Sequence, residues 1–129
     1  MADANARKVL VVEDNELNMR LFCDLLDAYG YQTYQCRDGA NAVEIARREL
    51  PDLIIMDIQL PEVSGLDITR WLKDDAKVSH IPVLAVTAFA MRADEQRVRE
   101  AGCEGYLSKP IQIMTFLKAV EALMPKEPA

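Results

Sequence analysis

Apolar residues along the chain fall into short continuous runs separated by longer amphipathic segments. Residues 9–12, 53–56 and 83–86 are apolar at every position. Runs of this length without alternation are typical of strands that helices cover on both faces, as in a parallel sheet. Residues 31–36 and 105–107 are weaker strand candidates. The pattern therefore predicts five strands that alternate with helices, which is a doubly wound α/β fold.

The amphipathic segments predict a helix after each strand. Four residues of the first helix are spaced for one face, which we expect to be buried: Leu21, Phe22, Leu25 and Tyr29. Gly30 follows this stripe in a common C-terminal capping position. The second helix is predicted over residues 40–49 with Val43 and Ala46 inward. The remaining helices are predicted after Gly65, where Ile68, Trp71 and Leu72 mark the third, over residues 90–101 up to Gly102, and around Phe116, Leu117, Val120 and Leu123.

The chain has 129 residues, which is the size of one ordinary domain. We expect that domain to occupy residues 8–124, between short tails at residues 1–7 and 125–129. A net charge of −6 disfavours direct binding of DNA or RNA, because neutralisation of phosphates drives that affinity. Residues 81–91, the longest mostly apolar run, are too few to cross a bilayer, and the N-terminus lacks the apolar stretch of a secretory signal. We therefore expect a cytoplasmic protein without membrane insertion.

The cysteines carry no recognisable site. Cys23, Cys36 and Cys103 are odd in number and lack Cys-x-x-Cys spacing, so neither a disulfide framework nor a structural zinc site is expected. We predict three buried thiols in a reducing compartment. The single histidine, His80, is predicted to lie in a loop, and we assign it no role.

Polar residues follow the predicted strands where each strand ends. Glu13 and Asp14 follow the first strand, Asp57 the third, Thr87 the fourth, and Lys109 the fifth. Each has an ordinary explanation alone, such as a helix cap, a turn or a solvated charge. Because the carboxyl ends of parallel strands meet at one edge, however, the three carboxylates are expected to lie together and repel each other. A Mg²⁺ ion would compensate them, and a neighbouring lysine suits phosphoryl chemistry.

The turn after the first strand excludes other common α/β functions. Dinucleotide and nucleoside triphosphate sites need glycine-rich turns at this place, whereas the sequence here reads Glu13-Asp14-Asn15-Glu16. An acidic turn repels phosphate, so a pocket for flavin mononucleotide is disfavoured for the same reason. The expected chemistry therefore needs a cation before it can accept a phosphoryl group.

Four stretches of sequence, VVEDN, LIIMDIQLPEVSGLD, PVLAVTAFA and GYLSKP, resemble the receiver domain of bacterial two-component response regulators. The resemblance covers residues 8–124 and is strongest to single-domain regulators of bacterial cell division. It implies a flavodoxin-like (CheY-like) fold, with a five-stranded parallel sheet in the order 2-1-3-4-5 and five helices. It also implies a phosphorelay protein that is not an enzyme, beyond catalysing its own phosphorylation and dephosphorylation.

The resemblance implies a role for each carboxylate. Asp57 would accept a phosphoryl group from a sensor histidine kinase or a phosphotransfer protein. Asp14, Asp57 and the backbone carbonyl of Gln59 would ligate Mg²⁺, with Mn²⁺ as a possible substitute, and Glu13 would act through bound water. The family often has aspartate at the position of Glu13, so this residue is a mild departure.

The resemblance also implies a conformational switch. Lys109 would pair with the phosphoryl group, next to a cis bond to Pro110. Thr87 and Ala88 would contact the phosphoryl oxygens, and Tyr106 would rotate toward the space that Thr87 leaves. The changed surface near the fourth and fifth helices would then contact downstream proteins, with sensor kinases that control cell division as expected partners. We expect the protein to be a monomer.

Neighbouring residues are expected to adjust the reaction. Gln59 and Phe89 are predicted to set the lifetime of the phosphorylated state, with Phe89 hindering the attacking water. Four residues are candidates for docking of a kinase: Leu17, Met19, Pro110 and Ile111. Leu17 and Met19 flank the predicted stripe of the first helix, and the alternative that they only widen the core stripe remains open.

Two other functions compete with this interpretation. A phosphatase of the haloacid dehalogenase type shares an aspartyl phosphate on a parallel sheet, but it typically needs a second aspartate two residues after the nucleophile. Here Asp57 is followed by Ile58 and Gln59, and the chain has few residues for a substrate cap. A receiver fold that serves only as an interaction module, without phosphorylation, is disfavoured because every expected site residue is present.

Overall fold

The computed structural model describes residues 7–60, 63–88 and 92–125, with residues 92–94 as backbone only. Five strands form one parallel sheet in the order β2-β1-β3-β4-β5. The strands are β1 (Lys8–Val12), β2 (Gln32–Cys36), β3 (Leu53–Asp57), β4 (Val83–Thr87) and β5 (Gly105–Ser108). The helices are α1 (Glu16–Ala28), α2 (Ala42–Glu49), α3 (Gly65–Asp74), α4 (Arg92–Glu100) and α5 (Ile113–Leu123). The predicted fold and strand order are confirmed.

The two faces of the sheet carry separate hydrophobic clusters. Side chains of a strand alternate between faces, so Leu10 packs with α2, α3 and α4, whereas Val9 and Val11 pack with α1 and α5. The rings of Phe22 and Phe116 stack between α1 and α5, with their centroids 5.2 Å apart. Strands β3 and β4 are buried along their whole length, as the unbroken apolar runs predicted.

The buried face of α1 differs from the predicted stripe. Its core residues are Met19, Phe22, Cys23 and Leu26, whereas Leu21 is 40% and Tyr29 is 61% exposed. Asn15 fixes the start of the helix, because its side chain accepts a hydrogen bond from the backbone N–H of Asn18. The predicted stripe followed the largest residues, and it missed that the smaller Cys23 belongs to the buried face. Met19 belongs to this core face, as the alternative to docking proposed. The prediction that Met19 is a docking residue is therefore wrong.

The predicted third helix is present as α3, and its marker residues differ in burial. Ile68 and Leu72 are buried, whereas Trp71 is 47% exposed. Helix α3 presents a narrow face to the sheet, completed by the fully buried Thr69, whose hydroxyl donates to the carbonyl of Gly65 at 2.8 Å. Trp71 therefore lies on the outer flank of the helix.

The glycines that end helices and the buried cysteines are as the sequence predicted. Gly30 and Gly102 have φ angles of 88° and 107°, the left-handed conformation that favours glycine after a helix. The three cysteines are free and buried. Burial raises the pKa of both Cys36 and Cys103 to about 11, so these thiols stay protonated and behave as apolar residues. His80 lies in a turn.

Lys73 joins three elements at the edge where β4 begins. Its Nζ donates to the carbonyl of Ile81 at 2.9 Å, to that of Ser79 at 3.3 Å and to the carboxylate of Glu104 at 2.7 Å. The Lys73 side chain is 21% exposed, so these contacts are only partly screened by water. They hold α3, the loop before β4 and the start of β5 together, at the end of β4 away from the predicted site.

Parts of the sequence-based predictions lie outside the described residues: Phe89, the first two residues of the predicted fourth helix, and most of both tails. Within the described part of the chain, no helix is long and apolar enough to cross a membrane.

Candidate functional site

The carboxyl edge of the sheet brings the predicted polar residues together. Glu13 and Asp14 follow β1, Asp57 and Thr87 are the last residues of β3 and β4, and Lys109 follows β5. The side chains of Glu13, Asp57 and Thr87 are buried, whereas Asp14 is exposed. Charged and hydroxyl groups that lie far apart in the sequence therefore share one partly enclosed site.

Lys109 is the cation of this site. Its Nζ lies 3.5 Å from Oδ2 of Asp57 and 3.4 Å from Oε1 of Glu13. Its backbone N–H donates to the carbonyl of Thr87 at 2.7 Å, which holds the residue after β5 against the end of β4. The peptide bond between Lys109 and Pro110 is cis, as the resemblance implied.

Glu13, Asp14 and Asp57 form an acidic cluster. Each offers a carboxylate oxygen, and these oxygens lie within 4.8 Å of one another. Burial, followed by the neighbouring Asp57, raises the pKa of Glu13 to about 7, while Lys109 and the backbone N–H of Asn15 oppose this rise. One ammonium thus faces two buried carboxylates and an exposed third. The cluster fits a hard divalent cation such as Mg²⁺, which binds carboxylate oxygens and relieves their repulsion.

Gln59 connects the end of β3 to the end of β4 in a way that the sequence did not indicate. Its backbone N–H donates to Oδ1 of Asp57 at 2.9 Å. Its side-chain Oε1 accepts a hydrogen bond from the backbone N–H of Ala88, also at 2.9 Å. In the sheet, Asp57 pairs with Val86. Gln59 lies two residues after Asp57, and Ala88 lies two residues after Val86, so the register of β3 and β4 brings Gln59 and Ala88 opposite each other. This register is the signal that could have indicated the contact.

Gly65 is a second residue that shapes the site, although the sequence indicated it only as the start of the third helix. Its N–H donates to the carbonyl of Ile58 at 3.1 Å. A Cβ at this position would lie 2.2 Å from the carbonyl oxygen of Asp57 and 2.8 Å from the Cα of Ile58. The backbone of α3 therefore approaches Asp57 as closely as only glycine allows.

The remaining predicted residues lie around the site. Tyr106 is half-buried, pairs with Ala85 in the sheet and packs on the face of α2, α3 and α4. Pro110 is exposed and Ile111 half-buried. Leu17 is 78% exposed in the first turn of α1. Two exposed apolar side chains that the sequence reading missed occupy the start of α5: Ile113 and Met114.

The chain is similar to characterised bacterial regulators. It is 57% identical over 118 residues to the polar-differentiation response regulator DivK of Brucella anthropi, and this match covers 92% of the chain and 96% of the relative. The identity and coverage are the same for DivK of Brucella ovis. The relatives therefore match nearly the whole chain.

Solved structures share the fold. The chemotaxis protein CheY4 of Vibrio cholerae matches with a TM-score of 0.87 and 25% identity, covering 92% of this chain and 99% of that one. The receiver domain of sensor histidine kinase PA1611 from Pseudomonas aeruginosa, solved with a magnesium ion in its active-site cleft, matches with a TM-score of 0.84 and 30% identity, covering 92% and 97%. The sequence profile of the response regulator receiver domain matches residues 9–121, nearly the whole sheet and its helices, so the chain belongs to the response regulator receiver family.

Proposed function

We propose that Asp57 accepts a phosphoryl group from a phosphohistidine and that the chain acts as a response regulator in a phosphorelay. The observation that carries this proposal is the buried Asp57 carboxylate with the Lys109 ammonium 3.5 Å away, beside two further carboxylates. A nucleophilic oxygen, a cation for the transferred group and ligands for a divalent metal are thus held at one edge. Membership of the receiver family supports the same chemistry.

The reaction transfers one phosphoryl group between two side chains. A carboxylate oxygen of Asp57 attacks phosphorus, the phosphorus–nitrogen bond to the donor imidazole breaks, and the imidazole keeps the electron pair and takes up a proton. The hydrogen bond from the Gln59 N–H fixes the orientation of the Asp57 carboxylate, and Lys109 places positive charge beside it.

The acidic cluster gives the reaction its dependence on a divalent cation. Glu13, Asp14, Asp57 and the backbone carbonyl of Gln59 would hold Mg²⁺. Bound there, the ion supplies positive charge to the carboxylates and to the phosphoryl oxygens. Without it, the incoming phosphoryl group meets an excess of negative charge that Lys109 alone does not balance.

Phosphorylation would change the surface of the protein. An aspartyl phosphate brings added negative charge and acceptor oxygens, and the Thr87 hydroxyl and the Ala88 N–H are donors at the adjacent end of β4. Movement of this loop toward Asp57 would give Tyr106 room to turn, which alters the face of α4, β5 and α5. The similarity to DivK regulators supports sensor kinases of polar differentiation and cell division as partners.

Intact mass spectrometry tests the proposal. Incubation with acetyl phosphate and Mg²⁺ should add about 80 Da, the mass of one phosphoryl group. Asp57→Asn should abolish the adduct, and removal of Mg²⁺ by a chelator should strongly reduce it. Asp67→Asn, on the exposed face of α3, is the matched control and should be phosphorylated normally. An adduct that survives Asp57→Asn, or continuous release of inorganic phosphate without an adduct, would contradict the proposal.

A further inference from the structure

Gln59 links two parts of the site through two different groups. Its backbone N–H donates to the Asp57 carboxylate, and its carboxamide oxygen accepts the N–H of Ala88, both at 2.9 Å. Ala88 directly follows Thr87, at the carboxyl end of β4. One residue therefore joins the phosphoryl acceptor to the loop that begins after β4.

The strand register explains why this side chain reaches that amide. Strands β3 and β4 pair Asp57 with Val86, and the N–H of Ile58 still donates to the carbonyl of Val86 at 3.1 Å. Continuing the register places Gln59 opposite Ala88. There the carboxamide of Gln59 provides the acceptor that a backbone carbonyl provides within a sheet.

We propose that the Gln59 carboxamide is a latch, which holds the Ala88 N–H in the unphosphorylated protein and is displaced by a phosphoryl oxygen on Asp57. This inference rests on the proposed function, because it concerns the regulation of the same site. The exchange is favourable because a hydrogen bond to an anionic phosphoryl oxygen is roughly twice as strong as one to a neutral carboxamide. The latch thus keeps the Ala88 amide in place until a stronger acceptor arrives.

The structure provides space for the released side chain. A cavity of about 200 Å³ is lined by Gln59 and Thr87 and is bordered by Ser64 of the loop before α3 and Arg97 of α4. Its walls are partly polar, so the freed carboxamide can find new partners in water or protein. Release of Ala88 therefore does not require Gln59 to enter an apolar core.

A substitution that removes only the carboxamide oxygen of Gln59 tests the latch separately from the rest of the site. Gln59→Met keeps the length and bulk of the side chain, and hence its shielding of the site from water, but lacks the carboxamide oxygen. Gln96→Met makes the same chemical change on the exposed surface of α4, where Gln96 donates to Glu100, and serves as the matched control. The loss of one hydrogen bond corresponds to about a two- to tenfold change in an equilibrium constant.

Two measurements on these proteins decide the question. Hydrogen exchange of the Ala88 amide, followed by NMR in the unphosphorylated protein, should be about two- to tenfold faster in Gln59→Met than in wild type or Gln96→Met. Titration with beryllofluoride and Mg²⁺, a stable mimic of the aspartyl phosphate, should show about two- to tenfold tighter binding to Gln59→Met, because no latch must open first. With the mimic bound, exchange at Ala88 should be equally slow in all three proteins.

The outcomes separate the latch from the phosphorylation on which it rests. Equal exchange at Ala88 in wild type and Gln59→Met would overturn the latch while leaving the proposed function intact. Unchanged or weaker binding of beryllofluoride to Gln59→Met would overturn its role as a competitor. Failure of wild-type protein to bind beryllofluoride or to accept a phosphoryl group would overturn the proposed function, and the exchange at Ala88 would then report a purely structural contact.

Discussion

Substitution of Gly65 by alanine should damage both stability and phosphorylation. The added Cβ would lie 2.2 Å from the carbonyl oxygen of Asp57 and 2.9 Å from its carbonyl carbon, and Cβ atoms essentially never approach other atoms closer than 3.0 Å. The obstacle is backbone at the end of a fully buried strand, so no side chain can rotate away. Helix α3 and Asp57 must instead move apart by about 0.8 Å, from 2.2 to 3.0 Å.

The magnitude follows from two opposing effects. Overpacking of this kind costs about 3 kcal/mol, at the upper end of the usual range. Alanine in place of glycine gains up to about 1 kcal/mol of helix propensity. The free energy of unfolding should therefore fall by about 2–3 kcal/mol, which lowers Tm by roughly 8–12 °C for a domain of this size. Displacement of Asp57 from Lys109 should also slow phosphorylation by about tenfold or more, since small misplacements of reacting groups are costly.

Urea denaturation and phosphorylation by acetyl phosphate, followed by intact mass, measure the two effects. Gly30→Ala is the matched control. A Cβ on Gly30 meets nothing within 4 Å, but the φ angle of 88° is unfavourable for alanine and costs about 1–2 kcal/mol. Gly30 follows α1 at the end of the sheet away from the site, so this variant should lose stability and keep its rate of phosphorylation.

The two variants thus distinguish a steric conflict beside Asp57, in Gly65→Ala, from backbone strain after α1, in Gly30→Ala. If Gly65→Ala unfolds within about 0.5 kcal/mol of wild type and accepts a phosphoryl group at the same rate, the close approach of α3 to Asp57 does not constrain the site. Equal losses of phosphorylation in both variants would show that the rate follows global stability, and the geometric argument would fail.

Three further predictions concern the Lys73 contacts, the surface of α1 and the acidic cluster. Lys73→Ala should lower the free energy of unfolding by about 1–3 kcal/mol in urea, because two carbonyls and a carboxylate lose the donor that they share. Lys118→Ala, at an exposed position, should change it little. Leu17→Ala should slow phosphotransfer from a kinase but not from acetyl phosphate, whereas Met19→Ala should lower stability by about 2–5 kcal/mol in the same urea assay. Mg²⁺ at a hundred times its Kd should stabilise the wild-type protein by about 2.7 kcal/mol, which is measured as a rise in Tm. The rise in Tm should be much smaller in Asp14→Ala.

Each of these predictions has a result that contradicts it. Equal stability of Lys73→Ala and Lys118→Ala would mean that water replaces the Lys73 contacts without loss. Equal slowing of Leu17→Ala with both phosphodonors would place its effect in the chemistry and not in docking. A rise of Tm with Mg²⁺ that is unchanged in Asp14→Ala would locate the bound cation elsewhere.

The edge that carries the site could be predicted because topology leaves few choices. Unbroken apolar runs identify parallel strands, and parallel strands must bring their carboxyl ends to the same edge. Glu13, Asp57 and Thr87 therefore had to lie near each other once the runs at residues 9–12, 53–56 and 83–86 were recognised as strands. The type of fold and the location of the cluster follow from the pattern of the chain itself.

The rotational phase of the helices could not be predicted in the same way. Cys23 is small and Leu21 large, yet Cys23 is buried and Leu21 is 40% exposed, because the sheet and the cap at Asn15 orient α1. Trp71 is exposed for a similar reason, since burial depends on the direction of a side chain as well as its hydrophobicity. The contact of Gln59 with Ala88 and the close approach of Gly65 depend on one side-chain conformation and on the path of a loop. Neither leaves a periodic signal in the sequence.

The charges at the site indicate which part of the protein must respond to phosphorylation. Before the reaction, the described site has one ammonium, from Lys109, for three carboxylates. On the proposed function, a bound Mg²⁺ would offset that excess, and a phosphoryl group on Asp57 would then add negative charge again. The new oxygens need hydrogen-bond donors, and two donors adjoin each other at the end of β4: the buried Thr87 hydroxyl and the Ala88 N–H that Gln59 now occupies. Both belong to one segment, so a single movement of that segment would satisfy the oxygens of the proposed aspartyl phosphate.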